Sequence, residues 1–511
     1  MHSTPHARLT LLRLLVCACA LAQAGGAAAA EASRGKNVFA EPTPAQRAAQ
    51  NVPAVGVPAA GPAASWSLST LQALNSQHAE APLDLAQAWR LAVLNDPDYQ
   101  AALSARAAAE TERRQGRAAI LPQVQAGYSR SRIRGDQTQY SLGRSFTGEL
   151  DYDATSMYVQ LQQPLINIGR YADFKRGAAR AELGAAEFRE REQATALRLV
   201  EVYLDALRAE TEWRLAGELA KSLEAQAVAQ DRLYEESEGD RIDAQETRSR
   251  LALAQADEIR ARDARQVALR ELEAMVGRPV EAIAGLSSTF HPLQLQPRTQ
   301  QEWVELVKIT NPAVRVAQEK LRVAETELTR ATSRHLPSLD LVGSWAKADS
   351  ENLDTLSQRT NTWAVGLNAS IPIFSGGYDS ANRARASAEV QRARQELRVA
   401  EEMAMAEATR QYTAITGGEE RVRALEAAVT SAEQSLEAAQ ASYKHGLRSN
   451  VDVLRSQDRL HDARRQLADA RVMYLDAVTA LWAVAGQLNE ARLVAATAKQ
   501  LQNQTATSLQ P

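Results

Sequence analysis

Apolar residues recur along this chain with two different periods, each confined to its own stretches. Over Val422, Leu425, Val429, Ala432, Leu436, Ala439 and Tyr443 they return every three to four residues, and they do so again over Leu460, Ala463, Leu467, Ala470, Tyr474, Ala477, Leu481 and Val484. That is the seam of a coiled coil, and its alternation of large residues with Ala lets two helices approach closely. Between Gly377 and Gly446 only Gly417-Gly418 weakens the helix. At ~1.5 Å per residue such a run reaches roughly 100 Å, far more than a compact domain needs.

Elsewhere the period is two. It marks Gln123–Ser129, Met157–Gln162, Leu339–Trp345 and Trp363–Ile371, and predicts strands of the kind that cross a membrane in a barrel. Pro164 and Pro372 are expected to close the second strand of each pair, where a ladder N–H is no longer needed. The polar segments 135–154 and 348–360, of uneven length, read as exposed loops. Before each pair comes a predicted helix, about 84–119 and 301–335, ending at Leu121-Pro122 and Leu336-Pro337 because a residue before proline avoids the helical region.

The order of elements occurs twice. An offset of 215 carries Asp96-Pro97 to Asn311-Pro312, Ala109-Glu110-Thr111 to Ala324-Glu325-Thr326, and Leu121-Pro122 to Leu336-Pro337. It becomes 208 for Pro164 to Pro372 and Gly169 to Gly377, then 209 for Tyr203 to Tyr412, Asp243 to Asp452, Leu272 to Leu481 and Gly277 to Gly486. The reading is therefore a first repeat over 82–296, a second over 297–492 and a polar C-terminal tail over 493–511.

Composition removes several classes. With 59 Lys and Arg against 62 Asp and Glu, the net charge of −3 offers no basic field for nucleic acid. Residues 1–30 read as a signal peptide: Arg8 and Arg13 precede an apolar stretch from Leu9 to Leu21, and Ala28-Ala29-Ala30 forms a small-residue cleavage site. Cys17 and Cys19 both lie inside it, so a chain cut after Ala30 has no thiol for a disulfide or a Cys-ligated metal. A lipoprotein box at Val16-Cys17-Ala18-Cys19 is the alternative. Residues 31–81, with Pro42, Pro44, Pro53, Pro58 and Pro62, read as a disordered tether. His461-Asp462-Ala463-Arg464-Arg465 is no HExxH, and neither a Walker motif nor GxSxG is present, so the reading is not an enzyme and carries neither cofactor nor metal.

Four strands per chain cannot close a membrane barrel, since about eight is the minimum. Their open edges need other copies, and three copies would supply twelve strands. At this point the chain resembles the TolC family of outer-membrane channel proteins. The resemblance rests on the duplicated Asp/Asn-Pro and Leu-Pro signals, on Ile371-Pro372-Ile373-Phe374-Ser375-Gly376-Gly377, and on the tip motif running from Tyr443-Lys444-His445-Gly446-Leu447-Arg448 to Ser449-Asn450-Val451-Asp452-Val453-Leu454. It implies a mostly α fold with a membrane β-barrel part. Duplicated long helical hairpins and four strands per protomer would form a homotrimer, with a 12-stranded barrel in outer-membrane lipid continuous with a 12-helix periplasmic tunnel. It also implies two partners, a periplasmic adaptor and an inner-membrane transporter of the ABC type. Protein secretion is favoured by the tip motif, with small-molecule efflux as the alternative. A periplasmic coiled-coil adaptor or scaffold is the competing class.

Carried over residue by residue, the resemblance implies that Tyr443 and Arg448 tie the second hairpin to its neighbour in a closed gate. Asp243 would be the acidic partner of the tyrosine, and Asp452 a ring of carboxylates at the constriction. Ile242 stands where a hydroxyl-bearing partner for the arginine is expected, and Arg455 where a second acidic ring is expected. The two tips also differ in charge. Glu235, Glu236, Glu238, Asp240 and Asp243 against Arg241 give the first a net −4, while Lys444, Arg448 and Arg455 against Asp452 give the second a net +2. The expectation is an acidic–basic seam between alternating tips.

Overall fold

The computed structural model describes residues 82–141, 143–236, 240–287, 290–350 and 358–502. The segments read as a signal peptide (1–30) and a tether (31–81), residues 503–511 of the expected tail, and Glu238 lie outside the described residues.

Each repeat opens with two helices rather than the single one expected. They are α1 (Leu85–Asn95) and α2 (Pro97–Ala118) in the first repeat. Asp96 is the reason: it takes extended backbone (ψ 120°) before Pro97, and its Oδ1 accepts the Tyr99 N–H at 2.8 Å. One residue thus ends α1 and caps α2, with proline at the first helical position where its missing N–H costs nothing. In the second repeat Asn311 does the same with Pro312, its Oδ1 accepting the Val314 N–H at 3.0 Å.

A hairpin follows, β1 (Gln123–Ser141) and β2 (Arg144–Ile166), then the 68-residue helix α3 (Ile168–Glu235) and its return α4 (Arg241–Val276). After a short β3 (Gly285–Leu286), the second repeat gives α5 (Gln300–Thr310), α6 (Pro312–Ser333), β4 (Ser338–Ser350) and β5 (Gln358–Ser370). It continues with α7 (Tyr378–Lys444, 67 residues) and α8 (Asn450–Val484). The segment read as a tail begins inside α9 (Glu490–Gln500), where Leu493 and Ala496 are buried, and runs into β6 (Leu501–Gln502), paired antiparallel with β3.

Two strand expectations need correction. Residues 135–154 are not a loop: β1 and β2 pair without a break from Gln123↔Gln162 to Ser141↔Arg144. The outer half continues the alternation in reverse, with Arg130, Arg132, Arg134, Asp151 and Asp153 on the face that is apolar nearer the helices and Ile133, Leu150 and Tyr152 on the other, so it does not extend the apolar stripe. Cross-strand ion pairs hold it instead, including Arg132 to Asp151 at 2.9 Å. Nor does Pro164 close its strand. β2 passes through it with a register shift and ends at Ile166, whereas Pro372 does lie beyond β5. The second predicted loop, 348–360, shrinks as well, since β4 runs to Ser350 and β5 starts at Gln358.

The main core lies at mid-length of the long helices, where α1, α5 and α9 and the chain after α4 wrap around them. Three tyrosines pin that wrapping. Buried Tyr203 on α3 donates to the Leu83 carbonyl at 3.0 Å, Tyr412 on α7 donates to Arg298 at 2.6 Å, and the Tyr474 hydroxyl on α8 accepts the Leu293 N–H at 2.8 Å. Burial pushes the Tyr474 hydroxyl up to about 12 and that of Tyr203 higher still, so both stay protonated at any working pH. The returning helices stop alike, at Gly277 (φ 72°) and Gly486 (φ 65°). Each glycine abuts the helix break of its own repeat. A Cβ on Gly277 would meet Asn95 at 2.6 Å, and one on Gly486 the Thr310 carbonyl at 2.8 Å.

Candidate functional site

Two places carry chemistry beyond packing, the sheet and the hairpin tips. The sheet has the order β1-β2-β4-β5, all antiparallel, so both edge strands, β1 and β5, are unpaired within the protomer. Its register sorts side chains by face. On one face Val124, Leu161, Gly343 and Val365 form a row, and Ala126, Val159, Trp345 and Trp363 the next. On the other stand Gln123, Gln162, Val342 and Gly366, then Gln125, Gln160, Ser344 and Ala364. The apolar face is open: Trp363 is 72% and Val365 68% exposed. A single sheet apolar on one side and polar on the other, with two free edges, is a segment of a barrel wall.

At the far end of the long helices the chain turns twice. The second turn is built by Gly446 (φ 69°), where the Leu447 N–H bonds the Ser442 carbonyl at 2.9 Å, an αL helix stop. α8 then starts with Asp452 accepting from the Ser449 N–H (3.3 Å) and hydroxyl (3.0 Å). Those two bonds first, and then the charges of Arg448 and Arg455, hold the Asp452 carboxyl below the usual carboxylate range. In the first hairpin Asp240 caps α4 by accepting the Ile242 N–H at 3.0 Å. Asp243 is shifted the other way, its carboxyl raised by burial and then by the neighbouring charge of Asp240.

One side chain that carried no expected role joins the two hairpins. Asn450, fully buried as the first residue of α8, donates through Nδ2 to Thr247 Oγ1 on α4 at 2.9 Å. Its Oδ1 accepts from Gln226 on α3 at 2.8 Å and from Gln230 at 3.4 Å. Gln230 also donates to the Tyr443 hydroxyl at 2.7 Å. So within the protomer Tyr443 is bonded to Gln230, not to Asp243, whose backbone carbonyl instead faces Asn450 Nδ2 at 3.4 Å. Behind this neutral cluster Leu454 packs on Ala220, Leu223 and Ala254, and Arg250 bridges to Asp458. The sequence held a usable signal, an Asn placed where α8 begins its apolar face. Its partners lie 203 to 224 residues away, and no local pattern points to them.

Arg248 pairs with Asp231 at 2.9 Å just above the first turn. Among the described residues, Glu235, Glu236, Asp240, Arg241 and Asp243 make no ion pair within 4 Å, and neither do Lys444, Arg448, Asp452 and Arg455. Ile242 (71% exposed) and Leu447 (78%) are equally bare. No group of His, Cys, Asp and Glu among the described residues is arranged to hold a metal ion.

Comparison with known proteins agrees with this geometry. The family described as "Outer membrane efflux protein" matches residues 88–278 and 303–487, one span per repeat. The chain is 34% identical over 413 residues to the alkaline protease secretion protein AprF of Pseudomonas aeruginosa, covering 80% of this chain and 86% of that one. It is 31% identical over 427 residues to the proteases secretion protein PrtF of Dickeya chrysanthemi, covering 83% and 92%. Among solved structures, the CmeC outer membrane channel of Campylobacter jejuni superposes with a TM-score of 0.69 at 15% identity over 80% of this chain and 88% of that one, a likeness of fold.

Proposed function

This chain belongs to the outer membrane efflux protein family and resides in the outer membrane, and from that premise we propose that it is the export conduit of a protein-secretion machine. Three copies join β1 of one to β5 of the next, closing a 12-stranded barrel whose polar face lines the pore and whose apolar face meets lipid. The long helices continue the pore through the periplasm as a 12-helix tunnel. A periplasmic adaptor and an inner-membrane ABC transporter supply contact and energy, because a passive pore needs only a wall and a gate. The observation that carries this reading is the pair of free sheet edges on a two-faced sheet. Protein cargo is favoured over small molecules by AprF and PrtF, both named for protease secretion.

The gate of this conduit is the ring of tips. Arg448, Lys444 and Arg455 of the second tip face Glu235, Glu236, Asp240 and Asp243 of the first in a neighbouring copy, while Asp452 lines the opening and Tyr443 braces it. What supports this is that the described charges of both tips make no ion pair within 4 Å in the protomer and so remain open to a neighbouring copy. Asn450 sets the hairpins against one another inside each copy, so a neutral clamp within protomers adjoins a charged seam between them.

One experiment tests the conduit. In a host lacking its own channel, the full chain together with its adaptor and transporter is expected to deliver a protease cargo to the medium and to run as a heat-labile trimer from the outer-membrane fraction. Deleting residues 338–373, which removes β4 and β5, should abolish both. A stable outer-membrane trimer from the deletion would refute the barrel. Trimer with restored drug resistance but no secretion would move the cargo to small molecules.

A further inference from the structure

From the Gln123 row outward to the Gly135 row the charged side chains of the sheet are on its apolar face; Asp340, beside Gln162, and Arg144, at the hairpin end, lie on the other. Going outward from the helices, the row of Tyr128 and Met157 includes Lys347, and the next holds Arg130, Asp349 and Arg359. Above those, Arg132 lies opposite Asp153 and Arg134 opposite Asp151. The other face has no ionised side chain from the Gln123 row to the Gly135 row. In a barrel whose polar face lines the pore, charge would be expected inside; here it projects outward, directly above the apolar rows and the Trp345–Trp363 pair.

Nor are these charges balanced. Arg132 and Arg134 share Asp151, at 2.9 and 3.3 Å, Arg130 reaches Asp153 at 2.8 Å, and Arg359 reaches Asp349 at 2.8 Å. Lys347 with the four arginines makes five cations against the three carboxylates Asp349, Asp153 and Asp151. The guanidiniums stay open, Arg130 at 65%, Arg134 at 67% and Arg359 at 74%. Exposed ion pairs contribute only ~0–1 kcal/mol each, so folding alone gives little reason to gather them. From Leu339 to Lys347 the apolar rows extend about 27 Å along the strand, close to the height of a barrel's lipid-facing band. The basic rows therefore fall at the headgroup level, on the side away from the helices. One row farther out the sign reverses, with Asp136 opposite Glu149.

We propose that this outward-facing basic band, three times repeated around the trimer, binds the phosphate groups of lipid headgroups in the outer leaflet. Planar guanidiniums held in a row by shared carboxylates can offer their remaining N–H donors to phosphate oxygens in bidentate fashion. The inference rests on the barrel reading but not on the cargo. It gives the long β1–β2 hairpin, which carries three of the five cations, the larger share in anchoring the rim of the channel in the charged layer of the membrane, with Lys347 of β4 and Arg359 of β5 supplying the rest.

The test uses full-length trimer drawn from the outer membrane in mild detergent, with micelles doped either with a bis-phosphorylated glycolipid or with the same lipid stripped of phosphate. Bound lipid is counted by mass spectrometry. Wild type should retain the phosphorylated lipid preferentially. Joint Arg130→Gln, Arg132→Gln and Arg134→Gln should cut that retention about a hundredfold, at roughly fivefold per surface cation, and leave the stripped lipid unaffected. Asp151→Asn, which frees two guanidiniums, should raise retention about threefold and decides the matter if the triple variant does not assemble. Equal retention of the two lipids, an unchanged triple variant or an unchanged Asp151→Asn would overturn the proposal. So would displacement by millimolar inorganic phosphate, which would mark a small-anion site rather than a lipid surface. A failed barrel shows itself earlier, as loss of the heat-labile trimer before any lipid is counted.

Discussion

In the first repeat the strand pair is 19 and 23 residues long and in the second it is 13 and 13. At the opposite end, the first tip carries a net −4 and the second a net +2. Between these ends the repeats share a plan: α1 and α2 map onto α5 and α6 with a single offset, and Gly277 answers Gly486 at another. The difference follows from what each part touches. The middle packs against the other repeat and against its own wrapping segments, so a change there must be matched on both sides. The ends meet water, lipid or another molecule, and each repeat can diverge freely.

That contrast can be broken most directly at the conserved middle. Gly486→Ala should cost about 3 kcal/mol, from a left-handed backbone plus a clash with the Thr310 carbonyl, and Gly277→Ala somewhat less, because the Asn95 side chain can give way. Gly417→Ala, with nothing within 4 Å of an added Cβ in the interior of α7, should instead gain about 0.5–1 kcal/mol. Thermal unfolding of the detergent-solubilised protein measures all three. If the two cap glycines prove as tolerant as Gly417, the repeats are not constrained by these contacts.

At the tips the comparison is between the neutral clamp and the charged seam. Asn450→Ala leaves Thr247, Gln226 and Gln230 without their shared partner in a buried site, a loss of about 2–3 kcal/mol. Single-channel conductance should rise to the same extent at low and high salt. Arg448→Glu reverses an exposed charge, an effect of ~0–1 kcal/mol that salt screens over about 10 Å at 0.1 M. Its leak should therefore be seen at low ionic strength and fade at high. Identical salt profiles for the two variants would dissolve the distinction.

The smallest effect expected is a pH dependence at Asp243. Burial, and then Asp240, raise its carboxyl in the folded tip, so folding favours the protonated form. The stabilisation is complete below the ordinary aspartate value of about 3.9 and is lost as pH climbs through the raised one. The thermal stability of the protein held as a monomer should accordingly fall slightly from about pH 4 towards neutrality, a readout that the seam between copies, where an ionised Asp243 would be attracted to its basic neighbours, does not enter. Asp243→Asn should flatten the profile, and a profile of the opposite slope would contradict the burial argument.

Much of this architecture could be read from the chain itself. Heptads gave the long helices because a coiled-coil seam needs only local spacing, and the seam residues from Val422 to Tyr443 are indeed the buried or half-buried ones of α7. The constant offsets gave the duplication, and alternation gave four strands where one face is apolar. Local reading failed where the determinant was not an apolar period. Asp96 and Asn311 break a helix through their side-chain caps, and the outer half of β1–β2 alternates with charged residues where the inner half has apolar ones, so the apolar stripe stops before the strands do. Register, edge strands, the face on which the arginines gather and the Asn450 clamp were decided by tertiary structure alone. Each depends on residues far apart in sequence meeting at one place, and a hydrogen bond between Asn450 and Thr247, 203 positions away, leaves no trace in the spacing of either segment.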